Sequence, residues 1–222
     1  MAQRTAEGQA AQAGRASALR MGIRIEVVTI VWMVVEAAVA IAAGIIARSL
    51  LLTAFGLDSV IELVSGAVLL WRLLVEARGG DQERVEWAER RAAWIVTLAL
   101  ALLAVYVFVS ALHGLISGAR PERSLAGIII ACAAAVAMPW LGVAKRRLAT
   151  RLGSGALRGD ADSSFTCGYM AATVLLGLAL NALFGWWWIE DIAAFIFLFW
   201  LIGEIREAAE EAREATDAPS DD

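Results

Sequence analysis

Apolar positions along this chain gather in six long runs, separated by short polar stretches. They do not alternate with the period of two expected of a half-buried strand, and each run is longer than a strand needs. The runs place helices at about Met21–Ala47, Leu50–Val75, Ala92–Ile116, Ser124–Ala144, Asp160–Phe184 and from Ile189 past Glu204, with a solvated continuation toward Ala215. Each has about twenty residues or more, enough to cross a hydrocarbon core of about 30 Å. The expected fold class is therefore an all-α membrane protein of six transmembrane helices. Residues 1–20 carry Ala, Gln, Gly and Arg without an apolar stripe and read as a mobile or weakly helical cytoplasmic tail. Residues 21–205 form the six-helix domain, and 206–222 an acidic cytoplasmic tail with a disordered end. Charge density predicts loops over Glu76–Arg90 and Lys145–Gly159, and Gly118–Arg123 breaks the chain. Pro139 predicts a kink in the fourth helix. Trp186, Trp187 and Trp188 mark a membrane–water boundary.

Composition agrees with membrane spans. Of the 222 residues 60% are hydrophobic, against about 45–50% in an ordinary globular domain, and six spans leave no room for a large soluble unit. No basic patch alternates with exposed aromatics, which argues against nucleic-acid binding. The N-terminus is polar and does not resemble a signal peptide. Cys132 and Cys167 both lie in apolar runs and imply no disulfide framework. The net charge of -4 hides an asymmetry. With both termini inside, sixteen basic residues fall in the inner segments and only Arg48, Arg120 and Arg123 in the outer ones. That bias predicts an inner-membrane protein with both ends cytoplasmic.

The chemistry starts in the second run, at Phe55-Gly56-Leu57-Asp58-Ser59-Val60-Ile61-Glu62. Asp58 and Glu62 are four residues apart, so a helix points both the same way, one turn apart. A charge at mid-bilayer costs about 2.5–3.5 kcal/mol on insertion scales, and two like charges also repel. A cation between them relieves both costs; a protonated, hydrogen-bonded pair is the alternative. The fifth run opens Asp160-Ala161-Asp162-Ser163-Ser164-Phe165-Thr166-Cys167. Ser163 and Cys167 share one face, Asp162 and Thr166 the next, and Asp160 lies near the first. A polar stripe in an apolar helix must meet polar groups, water or an ion, and the face of Asp58 and Glu62 is the natural partner. Helix capping at an interfacial N-terminus equally accommodates Asp160, Asp162, Ser163 and Ser164, and Cys167 reads as ligand or as packing. Carboxylates with a thiolate suit zinc; carboxylates with hydroxyls and water suit manganese, iron(II) or magnesium.

Glu36, four residues after Trp32, is a third carboxylate near the site, a proton carrier or a hydrogen-bonded structural acid. Asp191 reads as an exposed helix cap and His113 as an interfacial residue. Ser110, Gly114 and Gly118 allow close helix contact, within the chain or across a dimer. Asn181 is expected to bond a neighbouring helix. The acids Glu204, Glu207, Glu210, Glu211, Glu214 and Asp217 read as a solvated helix.

The stretch Phe55–Glu62, the stretch Gly159–Cys167 and the approach Gly185-Trp186-Trp187-Trp188-Ile189-Glu190-Asp191 resemble the second, fifth and sixth helices of the cation diffusion facilitator (cation efflux) family. The resemblance covers all six spans in order and length. It implies a homodimer that exports a divalent cation, often zinc, in exchange for protons. It also implies a site of two ligands from each of the second and fifth helices, placed here at Asp58, Glu62, Ser163 and Cys167. The chain departs from the pattern in Glu at 62, in Ser and Cys for the usual His and Asp of the fifth helix, and in an acidic stretch where a cytoplasmic metal-binding domain usually follows. It thus resembles the membrane-only subset of that family. The expectation is a proton-coupled exporter of a divalent metal such as zinc, with manganese, iron(II) or cobalt as other cargoes. Asp162 is a further candidate ligand, and Glu36 and Asp160 are supporting groups. No covalent chemistry, and so no enzyme, is expected. The rivals are a non-transporting membrane protein of the same fold, acting as metal sensor or complex partner, and a proton or sodium pathway.

Overall fold

Local chemistry punctuates the chain into helices. The computed structural model describes residues 2–78, 82–118 and 120–217, and these form six α-helices with no strand among the described residues: α1 Ala2–Ala47, α2 Leu50–Arg78, α3 Gln82–Ser117, α4 Leu125–Leu152, α5 Gly155–Phe184 and α6 Ile189–Asp217. Residues 79–81, from the predicted Glu76–Arg90 loop, and 218–222, from the predicted disordered end, lie outside the described residues.

Several boundaries differ from the sequence reading, each for a physical reason. Residues 2–20 continue α1 without a break. The charged stretch before Ala92 is the first part of α3, where Arg91 lies over the Trp87 ring at 4.1 Å. The expected loop Lys145–Gly159 is helix on both sides of a two-residue turn, Gly153-Ser154. Gly153 takes the left-handed conformation, φ 66°, that ends α4, and the Ser154 hydroxyl accepts from the Leu157 amide to begin α5. Charge density alone does not stop a helix once it leaves the apolar layer; an αL glycine followed by a serine cap does. This also overturns the capping reading of Asp160, Asp162, Ser163 and Ser164, which lie inside α5.

α1 pairs with α2, α4 with α5, and α1 with α4, while α3 and α6 pair together and lean on α2 and α5. Small residues permit the close crossings. A Cβ on Gly56 would meet Ile41 and Ala40 of α1, and one on Gly168 of α5 would meet the ring of Pro139, through which α4 runs unbroken. Gly114 of α3 abuts Asp191 of α6, so at Gly114 the small-residue face serves packing within the chain.

Four helical stretches, Ala16–Ala47, Ala93–Ser117, Leu125–Leu152 and Gly155–Phe184, are long and apolar enough to cross a membrane. The other two helices carry their acids within: Asp58 and Glu62 in α2, and Glu190, Asp191 and Glu204 in α6. Outward faces are apolar, with Ile116 78%, Ile46 77% and Leu183 74% exposed, a surface that suits lipid rather than water. Trp186 stacks between Phe184 and Trp188 at the α5–α6 turn.

Candidate cation site

The buried acids of α1, α2 and α6 meet the polar face of α5. Asp58 is fully buried, and neither of its carboxylate oxygens has a hydrogen-bond partner. One turn on, Glu62 Oε1 accepts from the Ser163 hydroxyl of α5 at 2.8 Å, while Oε2 is unpartnered. Cys167, fully buried, sits between Glu36 and Glu62, with its sulfur 3.8 Å from Glu36 Oε1. Asp58 lies within electrostatic reach of Glu62 and Glu36. The helical spacing read from the sequence thus brings Asp58, Glu62, Ser163, Cys167 and Glu36 into one region.

These groups are not equivalent. Glu36 is satisfied: Oε1 accepts from Ser59 at 2.7 Å and Oε2 from the Trp32 indole at 2.6 Å. It is a held acid that flanks the chamber. Asp58 is the opposite, a buried carboxylate without a donor, and such a group costs about 1–3 kcal/mol or more while it stays unpaired.

Two predicted residues are engaged by basic side chains of α4 instead. Asp162 points away, its side chain 45% exposed and 4.0 Å from Arg146. Asp160, 16% exposed, lines the cavity that leads to Glu62 but is held in an ion triad: the Lys145 ammonium is 2.5 Å from Asp160 Oδ2 and 3.2 Å from Glu26 Oε2, tying α4 to α5 and α1. Lys145 is the only lysine in the chain.

One acid was misread. Glu204, taken from the sequence as part of a solvated helix, is 7% exposed and lies within electrostatic reach of Asp58 and Glu62. Its Oε1 is 3.5 Å from the Ser163 hydroxyl. The signal was available in register: Phe197, Leu201, Glu204 and Ala208 share one helical face, and Phe197 and Leu201 are fully buried.

A cavity of about 500 Å³ leads to this chamber, with Glu62, Ser163 and Glu204 in its wall, and Gly155 and Glu207 among its other lining residues. It belongs to the end where Leu73 of α2, Leu148 of α4 and Leu157 of α5 pack together, which is the basic end of the chain. Beyond Asp58 the passage is closed by buried Leu51, Phe55, Met170, Val174 and Phe197. Past that plug a polar knot ties the far end together. The Ser49 hydroxyl donates to Glu190 Oε2 at 2.5 Å, and the Asn181 amide donates to Glu190 Oε1 at 2.8 Å and to the Pro121 carbonyl at 3.4 Å. Asn181 thus bonds its neighbours as expected. Asp191 departs from expectation: it is 8% exposed against Gly114, not an exposed cap. Among the described residues no three His, Cys, Asp or Glu side chains already form a group that could hold a metal ion.

A helical bundle with apolar outer faces, buried acids at its centre and a cavity reaching Glu62 and Glu204 from one end has the character of a membrane protein. The family model of the cation efflux transmembrane domain matches residues 27–215, and the chain belongs to that family, whose members are transporters of cations. A search of curated proteins finds no match to this chain.

Proposed function

We propose that this protein is a secondary transporter that exports a divalent transition-metal cation, zinc or a neighbour of zinc, in exchange for protons. The ion sits between α2 and α5, on the carboxylates of Asp58 and Glu62 and the side chains of Ser163 and Cys167, with Glu36 held alongside. The observation that carries this reading is Asp58: fully buried, both oxygens without a donor, and within reach of a second acid. A visiting cation resolves that arrangement, and so does a proton, so the two compete for the same oxygens. Binding the cation then releases protons, which supplies the coupling of an antiporter.

Because no three candidate side chains are yet grouped as ligands, binding must draw them together. Asp58 can rotate toward an ion without breaking a hydrogen bond, whereas a move of the Glu62 carboxylate loosens its bond from Ser163, itself a proposed ligand. The cavity supports entry from the basic end, and the distribution of arginines favours a cytoplasmic side for that end. The apolar plug and the knot at Glu190 support closure toward the other side, which is what export by alternating access requires of a loading state. Asp162, half-exposed and beside Arg146, has no part in this reading.

The test is flux in proteoliposomes. Zinc uptake driven by an imposed pH gradient is expected for the native protein and lost in Asp58→Ala and Glu62→Ala that remain folded by size-exclusion chromatography. Normal flux in the double variant overturns the assignment, and zinc-independent proton flux through the native protein points instead to a proton pathway.

A further inference from the structure

We propose that Glu204 is a direct cation ligand, supplied by α6 in place of the carboxylate that α5 does not offer. This rests on the transport reading above and deepens it.

The donor inventory leads to it. On α5 the two aspartates are not free donors to the chamber: Asp160 lines the cavity but is held by Lys145, and Asp162 is half-exposed beside Arg146. What α5 presents to the chamber is a hydroxyl and a thiol, so α2 alone supplies anionic donors unless another helix contributes. Glu204 comes from the opposite wall, 93% buried by the 7% exposure of its residue, with Oε2 partnered by nothing. The Ser163 hydroxyl lies between two carboxylates, 2.8 Å from Glu62 Oε1 and 3.5 Å from Glu204 Oε1. A hydroxyl has one proton to donate, and it is engaged by Glu62. Glu204 is left as an acid aimed at Ser163 and Glu62 with no donor of its own at hydrogen-bond strength. A cation placed among Glu62, Ser163 and Glu204 satisfies all three at once.

Position adds a role in the sequence of events. Glu204 and Glu62 line the cavity, and Asp58 does not. An ion arriving from the basic end meets Glu204 and Glu62 before it reaches Asp58. Glu204 also changes the chemistry of the donor set. With Glu204 the donors are three carboxylates and a hydroxyl beside the single thiol of Cys167, and a set in which oxygen outnumbers sulfur, with room for water, suits manganese(II) better than one dominated by sulfur or imidazole would.

The experiment is manganese(II) binding to the purified full chain in nanodiscs, followed by electron paramagnetic resonance. The variants are Asp58→Asn, Glu204→Gln, Glu204→Cys and, as a control at the cavity mouth, Glu207→Gln. Loss of even an outer-sphere partner costs a metal site about 10–100-fold in affinity, so Glu204→Gln is expected to weaken manganese by at least about tenfold, and Glu207→Gln by much less. Glu204→Cys separates ligation from packing: a thiolate ligand should lower manganese affinity while raising cadmium affinity over the native protein, which a merely structural role would not do. If Asp58→Asn abolishes binding and Glu204→Gln and Glu204→Cys leave both metals at native affinity, the Glu204 assignment is overturned and the transport site stands. If Asp58→Asn itself leaves manganese binding intact, the transport reading fails first.

Discussion

Lys145 offers the sharpest test of how this bundle is held together. Its ammonium sits between Asp160 at 2.5 Å and Glu26 at 3.2 Å, with Lys145 itself 1% and Glu26 0% exposed. At an effective dielectric of about 20, the 3.2 Å contact alone is worth about 5 kcal/mol of gross attraction. Desolvation of three charges and repulsion between the two acids offset most of it, so the net value of the triad is small. The cost of breaking it is not. Lys145→Met keeps an unbranched apolar stem and deletes the charge, leaving two carboxylates facing each other in a buried site. Removing one partner of a buried pair costs about 3–5 kcal/mol, a large part of the 5–15 kcal/mol typical of a folded domain.

The assay is equilibrium unfolding in mixed micelles, with helicity as the signal. Lys145→Met should lower the unfolding free energy by that amount, and the apolar triple variant Lys145→Met, Glu26→Met, Asp160→Leu should recover most of it, because apolar groups of similar volume often replace a buried ion triad at no net loss. Native stability in the single variant would refute the triad as a structural clamp. A triple variant no better than the single one would refute the electrostatic reason for it and leave packing of the lysine stem as the cause.

Three further outcomes follow from the geometry. Cation affinity should fall as pH falls, because protons compete for the carboxylate oxygens the ion needs; calorimetry in buffers of different ionisation enthalpy should register proton release on binding, and none would remove the basis for antiport. Glu190→Ala leaves the Ser49 hydroxyl and the Asn181 amide without their shared acceptor, at about 1–3 kcal/mol per buried group left unsatisfied, and hydrogen exchange should quicken in the first turn of α6; unchanged protection would show that the knot does not hold the far end closed. Gly168→Val puts a Cβ 2.6 Å from the Pro139 ring, and overpacking of this kind costs about 1–3 kcal/mol, more than the helix propensity gained on losing a glycine; a more stable variant would mean that α4 and α5 can separate freely.

Periodicity alone told which residues share a helical face. That was enough to place Asp58 with Glu62 and Ser163 with Cys167, because each pair is separated by one turn and the surrounding run is apolar. It was enough also for a six-helix bundle, since length and hydropathy are properties of each run by itself. Which faces meet was beyond it. Asp162 read as a candidate ligand and Asp160 as a supporting group beside the acids of α2, and what separates both from that role is Lys145 and Arg146, which a helix longer than charge density suggested carries alongside α5. Glu204 was masked by its neighbours in sequence: it stands where the apolar run passes into charged residues, so composition groups it with solvent, while its register with Phe197 and Leu201 turns it inward. A charge in a chain is assigned its surroundings by the helices packed against it, and those are decided by residues more than a hundred positions away, as Ser163 is from Glu62.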